Sequence, residues 1–301
     1  MLPSEIIEKR ILISVLNWGM GHVSRSIGLI HQLKTQNNAI FIACSAEQKV
    51  VFEQYFGDVI FIDHEGYPFK FGGKGNFALD LFKRVVSLKK RMKKEQIEVE
   101  LMVNKYAIDI VLSDHRYGFN APLVQSYFIT HQFNLPVPWY QRNADRLHKK
   151  LMSKFDGVWI MDYSNSKLAG KLSQTKSSDR VHYIGPYTRF TLYEKNLLDV
   201  RQGMVLVASG PKIYAQQLVD EVYAANKESE ISVICDEGIK VPKQFKKLTG
   251  NWREQDKEIV SAQKIISRSG YSTIMDIDFL KCEAEFIPTP GQAEQIYLAN
   301  Y

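Results

Sequence analysis

Cysteine is scarce in this 301-residue chain, and long apolar runs are absent from it. The three cysteines, Cys44, Cys235 and Cys282, are far apart and show no CxxC spacing, which argues against a disulfide framework and against a cysteine metal site. No stretch approaches the roughly 20 apolar residues of a membrane-spanning helix, and the N-terminus lacks the pattern of a secretory signal. The sequence therefore predicts a folded cytoplasmic protein with reduced, buried thiols.

The bulk composition is that of a folded protein, with 45% hydrophobic and 24% charged residues. A length of 301 residues favours two domains over a single core. The net charge of +6 predicts an anionic partner, which charge alone leaves open between a nucleotide, a phospholipid surface and a nucleic acid.

Short apolar runs alternate with amphipathic stretches through the first half of the chain. The runs end at turn residues and lie at residues 11–16, 39–44, 59–63, 108–114, 126–130 and 157–162. Helical spacing connects several of them, at residues 24–35, at 47–55 and from Phe77 to about Tyr106. This alternation predicts a parallel sheet that is covered on both faces.

The same theme restarts after a polar segment near residue 190. Further strand patterns lie at residues 203–211, 231–235, 264–270 and 284–290. We therefore predict an α/β protein made of two Rossmann-like domains facing a cleft, with ligands at the carboxyl ends of the strands. The predicted domains are residues 1–190 and 200–301, and the second is expected to be short or cut at its C-terminus.

The stretch NWGMGHVSR follows the first predicted strand. Gly19 and Gly21 allow a tight turn and a close approach of a ligand to the backbone, and the helix that follows presents unpaired N–H groups. His22 would then lie at the rim of the cleft, where it can accept a proton, and Arg25 could hold an anion. The structural alternative is a simple turn with His22 capping the helix.

Two later stretches have a similar character. SRSGYSTIMDI begins at Ser267 and is either a capping box or a diphosphate site, with Asp276 accepting hydrogen bonds from ribose hydroxyls. PTPGQAEQIYLAN carries Glu294 and Gln295, which suit sugar hydroxyls but are also ordinary for the solvated face of a helix.

Taken together, the three stretches resemble the GT-B glycosyltransferases, specifically family 28, which includes the bacterial transferase that adds N-acetylglucosamine to the lipid-linked peptidoglycan precursor. The family's GGxGGHxxP loop matches residues 18–26 in part, and its RSGxxTxxE segment matches residues 268–276 with Asp276 in place of Glu. Its late QQ segment corresponds loosely to Glu294 and Gln295. The loop ASGPK stands where the family carries GGS.

The resemblance implies a role for each matching residue. His22 would lie at the reacting centre, Asp276 would contact the ribose, and Glu294 and Gln295 would contact the donor sugar. The remaining donor-binding residues implied are Ser209, Gly210, Arg268, Ser269, Gly270 and Thr273. Such enzymes need no cofactor and no essential metal, because helix dipoles and backbone donors stabilise the departing diphosphate.

Residues after the first strand and at other strand ends of the first domain are candidates for binding the acceptor. We expect this set to comprise Gly21, Arg25, Asp114, His115, Arg116 and His131. A metal site at Asp114, His115 and His131 is the weaker alternative, because no paired histidine spacing on one element supports it.

The stretch from Phe77 to Gln96 combines an apolar face with many lysines and arginines. It suits a helix resting on an anionic bilayer, and equally a solvated basic face over a buried stripe. No nucleic-acid partner is expected, since no reading element accompanies the charge.

The sequence thus predicts a metal-independent hexosyl- or N-acetylhexosaminyltransferase. Its expected donor is a UDP-sugar such as UDP-N-acetylglucosamine. Its acceptor is unidentified and expected to be lipid-linked. The expected localisation is the cytoplasm or the inner face of the cell membrane. The alternatives are a nucleotide-sugar epimerase of the same fold and a non-catalytic protein that binds nucleotide-sugars or anionic lipids.

Overall fold

The structure is a computed structural model that describes residues 1–67, 85–137, 142–176, 178–193 and 201–301. The described residues divide into two compact units, with the boundary between Tyr187 and Thr188. Each unit has its own parallel sheet, with helices between most of the successive strands. The predicted α/β class with two Rossmann-like domains is therefore confirmed.

The first unit is built on a sheet whose described strands run in the order β3-β2-β1-β4-β5-β6-β7, all parallel. The strands are β1 Arg10–Val15, β2 Ala39–Cys44, β3 Ile60–Asp63, β4 Ile110–Asp114, β5 Gln125–Thr130, β6 Gly157–Ile160 and β7 Val181–Tyr183. The helices are α1 Gly21–Thr35, α2 Ala46–Phe52, α3 Val85–Tyr106 and α4 Arg142–Met152. Short 3-10 helices lie at Pro3–Glu5 and Gly170–Leu172.

The central strands β1 and β4 are buried almost throughout because helices cover the sheet. On one face, Leu12, Phe41 and Val111 pack with Val99 and Val103 of α3. This packing explains why the strands read as continuous apolar runs in the sequence.

The second unit contains a sheet of described strands in the order β10-β9-β8-β11-β12, again all parallel. The strands are β8 Met204–Ala208, β9 Ile231–Cys235, β10 Lys246–Leu248, β11 Lys264–Ser267 and β12 Glu283–Phe286. The helices are α5 Lys212–Ala225, α6 Trp252–Ser261, α7 Tyr271–Leu280 and α8 Ala293–Ala299, with a 3-10 helix at Arg189–Leu192.

Both sheets reverse their strand order beside their first strand. In the first unit the reversal lies between β1 and β4, and in the second between β8 and β11. Ligands of open α/β sheets bind at the carboxyl ends of the strands at such a point. The topology therefore indicates one candidate site in each unit.

Several elements differ from the sequence expectation. Helix α1 begins at Gly21 rather than Ser24, so His22 and Arg25 lie within it. The helices α4 and α6 and the strand β10 were not predicted. Of the helix predicted from Phe77 onward, the structure describes α3 from Val85, and the earlier part lies outside the described residues. Within the described ranges, no helix is long and apolar enough to cross a membrane.

Candidate functional site

The candidate site of the first unit lies where β1 and β4 end side by side, with Val15 paired to Asp114. After β1 the chain turns at Gly19, whose φ of +99° is in the left-handed region that favours glycine. Gly21 is then the first residue of α1, and Met20 rather than His22 is the N-cap. His22 and Arg25 are three residues apart on α1 and therefore share a helix face.

The fully buried carboxylate of Asp114 joins these two side chains. Arg25 donates from Nε to Asp114 Oδ2 over 2.8 Å and from Nη2 to Oδ1. His22 Nδ1 lies 3.1 Å from the same Oδ1 atom. Burial disfavours the charged carboxylate, but the charges of Arg25 and His22 and their hydrogen bonds outweigh it and hold the pKa of Asp114 well below its usual range.

Arg25 also contacts two histidines of the predicted set. Its Nη2 lies 2.9 Å from His22 Nδ1, and its Nη1 lies 2.8 Å from His131 Nδ1. The guanidinium is almost fully buried, so the anion that Arg25 holds in this structure is Asp114. This differs from the prediction that Arg25 offers its charge to a ligand.

His115 packs against the other histidines without joining the ion pair. Its ring centroid lies 5.3 Å from that of His22 and 5.7 Å from that of His131, and its Nε2 lies 2.7 Å from Thr130 Oγ1. Burial, followed by the charges of His22 and Arg25, lowers the pKa of His115 well below its usual value. His115 is therefore neutral near pH 7, and its positive φ of 59° re-aims the chain after β4.

Arg116, which was grouped with these residues from the sequence, has different partners. Its fully buried guanidinium donates from Nε to Glu95 Oε1 over 2.7 Å and from Nη2 to the carbonyl of Glu65 over 2.6 Å. Tyr67 donates to the other oxygen of Glu95 over 2.6 Å. Arg116 therefore fixes the backbone that follows β3, and its role as an acceptor contact stays a prediction.

A cavity of ≈ 360 Å³ opens beside the start of α1. It is lined by residues of the loops that follow β1 and β2, namely Asn17, Gly19, Met20, Ser45, Ala46, Glu47 and Gln48. Sequence reasoning missed the members that follow β2, because a serine before an amphipathic helix indicates only a helix cap. The cavity shares the β1–α1 loop with His22, so a bound molecule there would lie next to α1.

In the second unit, the loops after β8 and β11 are neighbours, because Val207 pairs with Ser267. Ser209 and Gly210 are exposed in the first loop, and Gly210 has a φ of +95°. Pro211 is the N-cap of α5 and Gly270 is the N-cap of α7, and neither helix has a side-chain cap. The capping-box interpretation of this stretch is therefore wrong, and two helix N-termini without a side-chain cap lie at adjacent strand ends.

Three side chains that were predicted to bind the donor instead form hydrogen bonds with backbone groups of the surrounding loops. Arg268 donates from Nη2 to the carbonyl of Tyr214 over 2.8 Å. Ser269 donates to the carbonyl of Gln295 over 2.8 Å, and the side chain of Gln295 accepts from the Thr289 amide over 2.8 Å. These side chains are already hydrogen-bonded within the protein. The backbone of the loop after β11 is therefore better placed than they are to contact a ligand. Thr273 in α7 and Glu294 in α8 are half-buried.

Asp276 belongs to a buried cluster that the sequence did not predict. Thr188 donates to its Oδ1 atom, and Arg189 Nη1 donates to its Oδ2 atom over 3.2 Å. Arg189 Nε in turn donates to Asp256 over 2.6 Å. Burial raises the pKa of Asp276 to about 6. No local motif marks Thr188, Arg189 or Asp256, because the contacts join residues far apart in the chain.

Within the described part of the chain, no group of three or more His, Cys, Asp or Glu residues is arranged to hold a metal ion.

No protein-family model matches the sequence, and no curated protein sequence matches it. Solved structures do match. The glycosyltransferase of kitacinnamycin has a TM-score of 0.64 at 12% identity, with 97% of this chain and 84% of that chain covered. The spinosyn rhamnosyltransferase SpnG complexed with thymidine diphosphate has a TM-score of 0.62 at 11% identity, covering 96% and 83%. MurG of Acinetobacter baumannii has a TM-score of 0.55 at 14% identity, covering 97% and 83%.

These likenesses extend over nearly the whole chain and establish its fold as GT-B, the fold of these glycosyltransferases. The resemblance stated from the sequence motifs is confirmed at this level. Identities of 11% to 14% carry the fold alone, so the activity has to be argued from the residues of the two candidate sites.

Proposed function

We propose that this protein is an inverting glycosyltransferase that moves a sugar from a nucleotide diphosphate to an acceptor hydroxyl. The acceptor would bind to the first unit and the donor to the second. The observation that carries the proposal is the His22 and Asp114 pair at the strand-order reversal of the first unit, with His22 Nδ1 3.1 Å from Asp114 Oδ1.

The geometry of this pair suits general-base catalysis. A proton on His22 Nδ1 is donated to the Asp114 carboxylate, which leaves the lone pair of Nε2 to accept a proton. His22 is 17% exposed while Asp114 is fully buried, so the histidine is the member that an acceptor can reach. The depressed pKa of Asp114 keeps the carboxylate ionised, and it can stabilise the imidazolium that forms.

The reaction would then be a single displacement. The acceptor hydroxyl gives its proton to His22 Nε2 while its oxygen bonds to the anomeric carbon, and the bond from that carbon to the diphosphate oxygen breaks. One displacement at the anomeric carbon inverts its configuration. The diphosphate leaves as an anion toward the positive ends of the helix dipoles at the starts of α5 and α7, without an essential metal.

The donor is proposed to be a UDP-sugar, with UDP-N-acetylglucosamine as the first candidate. The test is calorimetric titration with UDP, GDP and dTDP in EDTA; dTDP is included because SpnG was solved with thymidine diphosphate. Binding of one nucleotide in EDTA, weakened in Asp276→Ala, would support the donor site. Absence of binding by all three would remove the transferase proposal and favour a protein whose glycine loops are structural.

His22 is tested separately from the donor site. With an acceptor found by screening, His22→Ala should lower kcat by about 10²- to 10⁴-fold, the usual contribution of a general base, and leave the affinity for the nucleotide unchanged. Wild-type turnover in His22→Ala would exclude the base role, and lost nucleotide affinity would indicate a wider structural effect.

For the acceptor, we propose a lipid-linked molecule reached at the inner face of the cell membrane. Helix α3 supports this, because Ile97 and Leu101 are 61% and 65% exposed on the face that also carries the exposed Lys90 and Lys93.

We expect the protein to sediment with phosphatidylglycerol vesicles and not with phosphatidylcholine vesicles. Equal sedimentation of wild type and the Ile97→Ser, Leu101→Ser double variant would contradict this role of α3.

A further inference from the structure

Arg25 contacts a histidine whose proton position this contact determines. Arg25 Nη1 lies 2.8 Å from Nδ1 of His131, the residue that follows β5. An arginine side chain has five N–H donors and no acceptor, and it stays protonated in proteins. Nδ1 of His131 therefore accepts this hydrogen bond. His131 is then the neutral imidazole with its hydrogen on Nε2.

His131 has a fixed place at the end of β5. Its side chain is almost fully buried, and its ring centroid lies 5.7 Å from that of His115. The hydroxyl of Thr130 accepts from the amide of Gln132 over 2.8 Å, which closes a turn around His131. Nδ1 of His131 is consequently an acceptor of fixed position for Arg25.

The contact with His131 sets the direction of the guanidinium plane of Arg25. Nε donates to Asp114 Oδ2 over 2.8 Å, Nη2 donates to Asp114 Oδ1, and Nη1 donates to His131. A planar group with all three nitrogens hydrogen-bonded has little freedom to turn. Asp114 is therefore held by both oxygens, with Oδ1 3.1 Å from His22 Nδ1.

His22 Nδ1 has two neighbours that need it in different protonation states. With a hydrogen, Nδ1 donates to Asp114, and Nε2 keeps a lone pair that can accept a proton. Without one, Nδ1 accepts from Arg25 Nη2, which lies 2.9 Å away, and the hydrogen of a neutral His22 is then on Nε2. Only the first arrangement suits a base, and a guanidinium kept on Asp114 favours it.

We propose that His131 is a positioning residue that sets the proton position of His22. By accepting from Arg25 it keeps the guanidinium on both oxygens of Asp114. The carboxylate then takes the Nδ1 hydrogen of His22, and Nε2 keeps the lone pair that receives the proton of the acceptor hydroxyl. This inference rests on the proposed function, because it serves the role of His22 as the base.

The experiment is long-range proton–nitrogen NMR of the full chain with isotope-labelled histidine, at about pH 8, above the usual imidazole pKa of about 6.5. Signals lost in His22→Gln and His131→Asn assign the two rings. Wild type should show His131 with its hydrogen on Nε2 and His22 with a hydrogen on Nδ1. In His131→Phe, which keeps a ring without the acceptor, Arg25 can turn to His22, and the His22 hydrogen should move to Nε2. His131→Asn should keep the wild-type state of His22, because its side-chain oxygen lies as many bonds from the backbone as Nδ1.

The matched control is His64→Phe, which removes another buried histidine of the first unit, one that contacts Glu98 rather than Arg25. It should leave the state of His22 unchanged. A wild-type His131 with a hydrogen on Nδ1, or a wild-type His22 without one, would overturn the inference before any variant is made. An unchanged His22 in His131→Phe would also overturn it. The spectra need neither nucleotide nor acceptor, so a lack of transferase activity would count against the proposed function alone.

Discussion

The same carboxylate oxygen of Asp114 contacts two side chains. Arg25 Nη2 and His22 Nδ1 both contact Oδ1, and Arg25 Nε also holds Oδ2. The charge that Asp114 can offer to His22 is therefore shared with Arg25. A change at any of the three residues is expected to affect the other two, so single substitutions here will not have additive effects.

Removing the charge of Asp114 should be costly for stability. Asp114→Asn leaves the guanidinium of Arg25 buried without its counter-ion, for which about 3 to 5 kcal/mol is the usual cost. Urea unfolding at pH 7 measures the difference in the free energy of unfolding. The control is Asp58→Asn, which breaks the exposed pair with Lys34 and should change the free energy by less than about 1 kcal/mol. Equal losses in the free energy of unfolding for the two variants would mean that the buried pair stabilises the fold no more than the exposed pair does.

The raised pKa of Asp276 predicts a pH dependence of stability. The usual pKa of an aspartate is about 4, and burial raises that of Asp276 to about 6 against the opposing charge of Arg189. The groups that face it are Arg189, Thr188 and Asp256. A folded-state pKa above the unfolded value gives stability that is present below about pH 4 and is lost as pH rises through about 6.

Wild type should therefore lose stability relative to Asp276→Asn, on the order of 2 kcal/mol, as pH rises from 4 to 7. Urea midpoints across this pH range measure the difference. A constant difference between the two proteins would show that Asp276 titrates with the same pKa in the folded and unfolded states.

The sequence could name reactive residues but not their partners. His22, Arg25 and Asp114 stand out because glycine turns and strand ends precede them, and these are local features. The contact of Arg25 with Asp114 spans 89 positions, and that of Thr188 with Asp276 spans 88. Such pairs are set by the order of strands in the sheet, so the contact of Arg116 with Glu95 was not predicted and Arg189 was missed.

The helices of the second unit begin in two different ways. The N-cap Asn251 of α6 accepts a hydrogen bond from the Glu254 amide over 3.2 Å. Helices α5, α7 and α8 have the N-caps Pro211, Gly270 and Gln292 and no side-chain cap. Capping usually stabilises a helix by about 1 kcal/mol, so its absence at the two helices beside the strand-order reversal favours a ligand as the group that completes them.

This predicts a backbone effect at the start of α5. Lys212 is the exposed first residue of the helix, and Pro211 before it has an extended ψ of 133°, which a following proline accepts. Lys212→Pro removes the N–H and the charge, whereas Lys212→Ala removes the charge alone. We expect Lys212→Pro to bind UDP about threefold to tenfold more weakly than Lys212→Ala, with similar thermal stability. Identical affinities of the two variants would exclude this amide as a phosphate contact.

Elements differed in how well the sequence predicted them. The buried strands β1, β4 and β8 were recognised because both of their faces are covered and their residues are apolar. Strand β10 has three residues at the sheet edge, two of them exposed lysines, so no apolar run marks it. Helices α4 and α6 are largely polar and were hidden among loop-like residues.

At the scale of the whole molecule, each unit has its own sheet, core and strand-order reversal. The proposed chemistry is divided in the same way, with the proton acceptor His22 in the first unit and the nucleotide site in the second. A nucleotide without an acceptor should therefore change one unit and leave the other as it was.

Hydrogen exchange measures this division directly. Saturating UDP should slow amide exchange at residues 209–213 and 269–276, because bound phosphate and ribose restrain the loops after β8 and β11 and the first turns of α5 and α7. Residues 17–26 of the first unit should exchange as they do without UDP. The control is Asp276→Ala, in which the slowing should be lost at equal UDP concentration. Slowing centred on residues 17–26 instead would move the nucleotide to the first unit and reverse the proposed roles of the two domains.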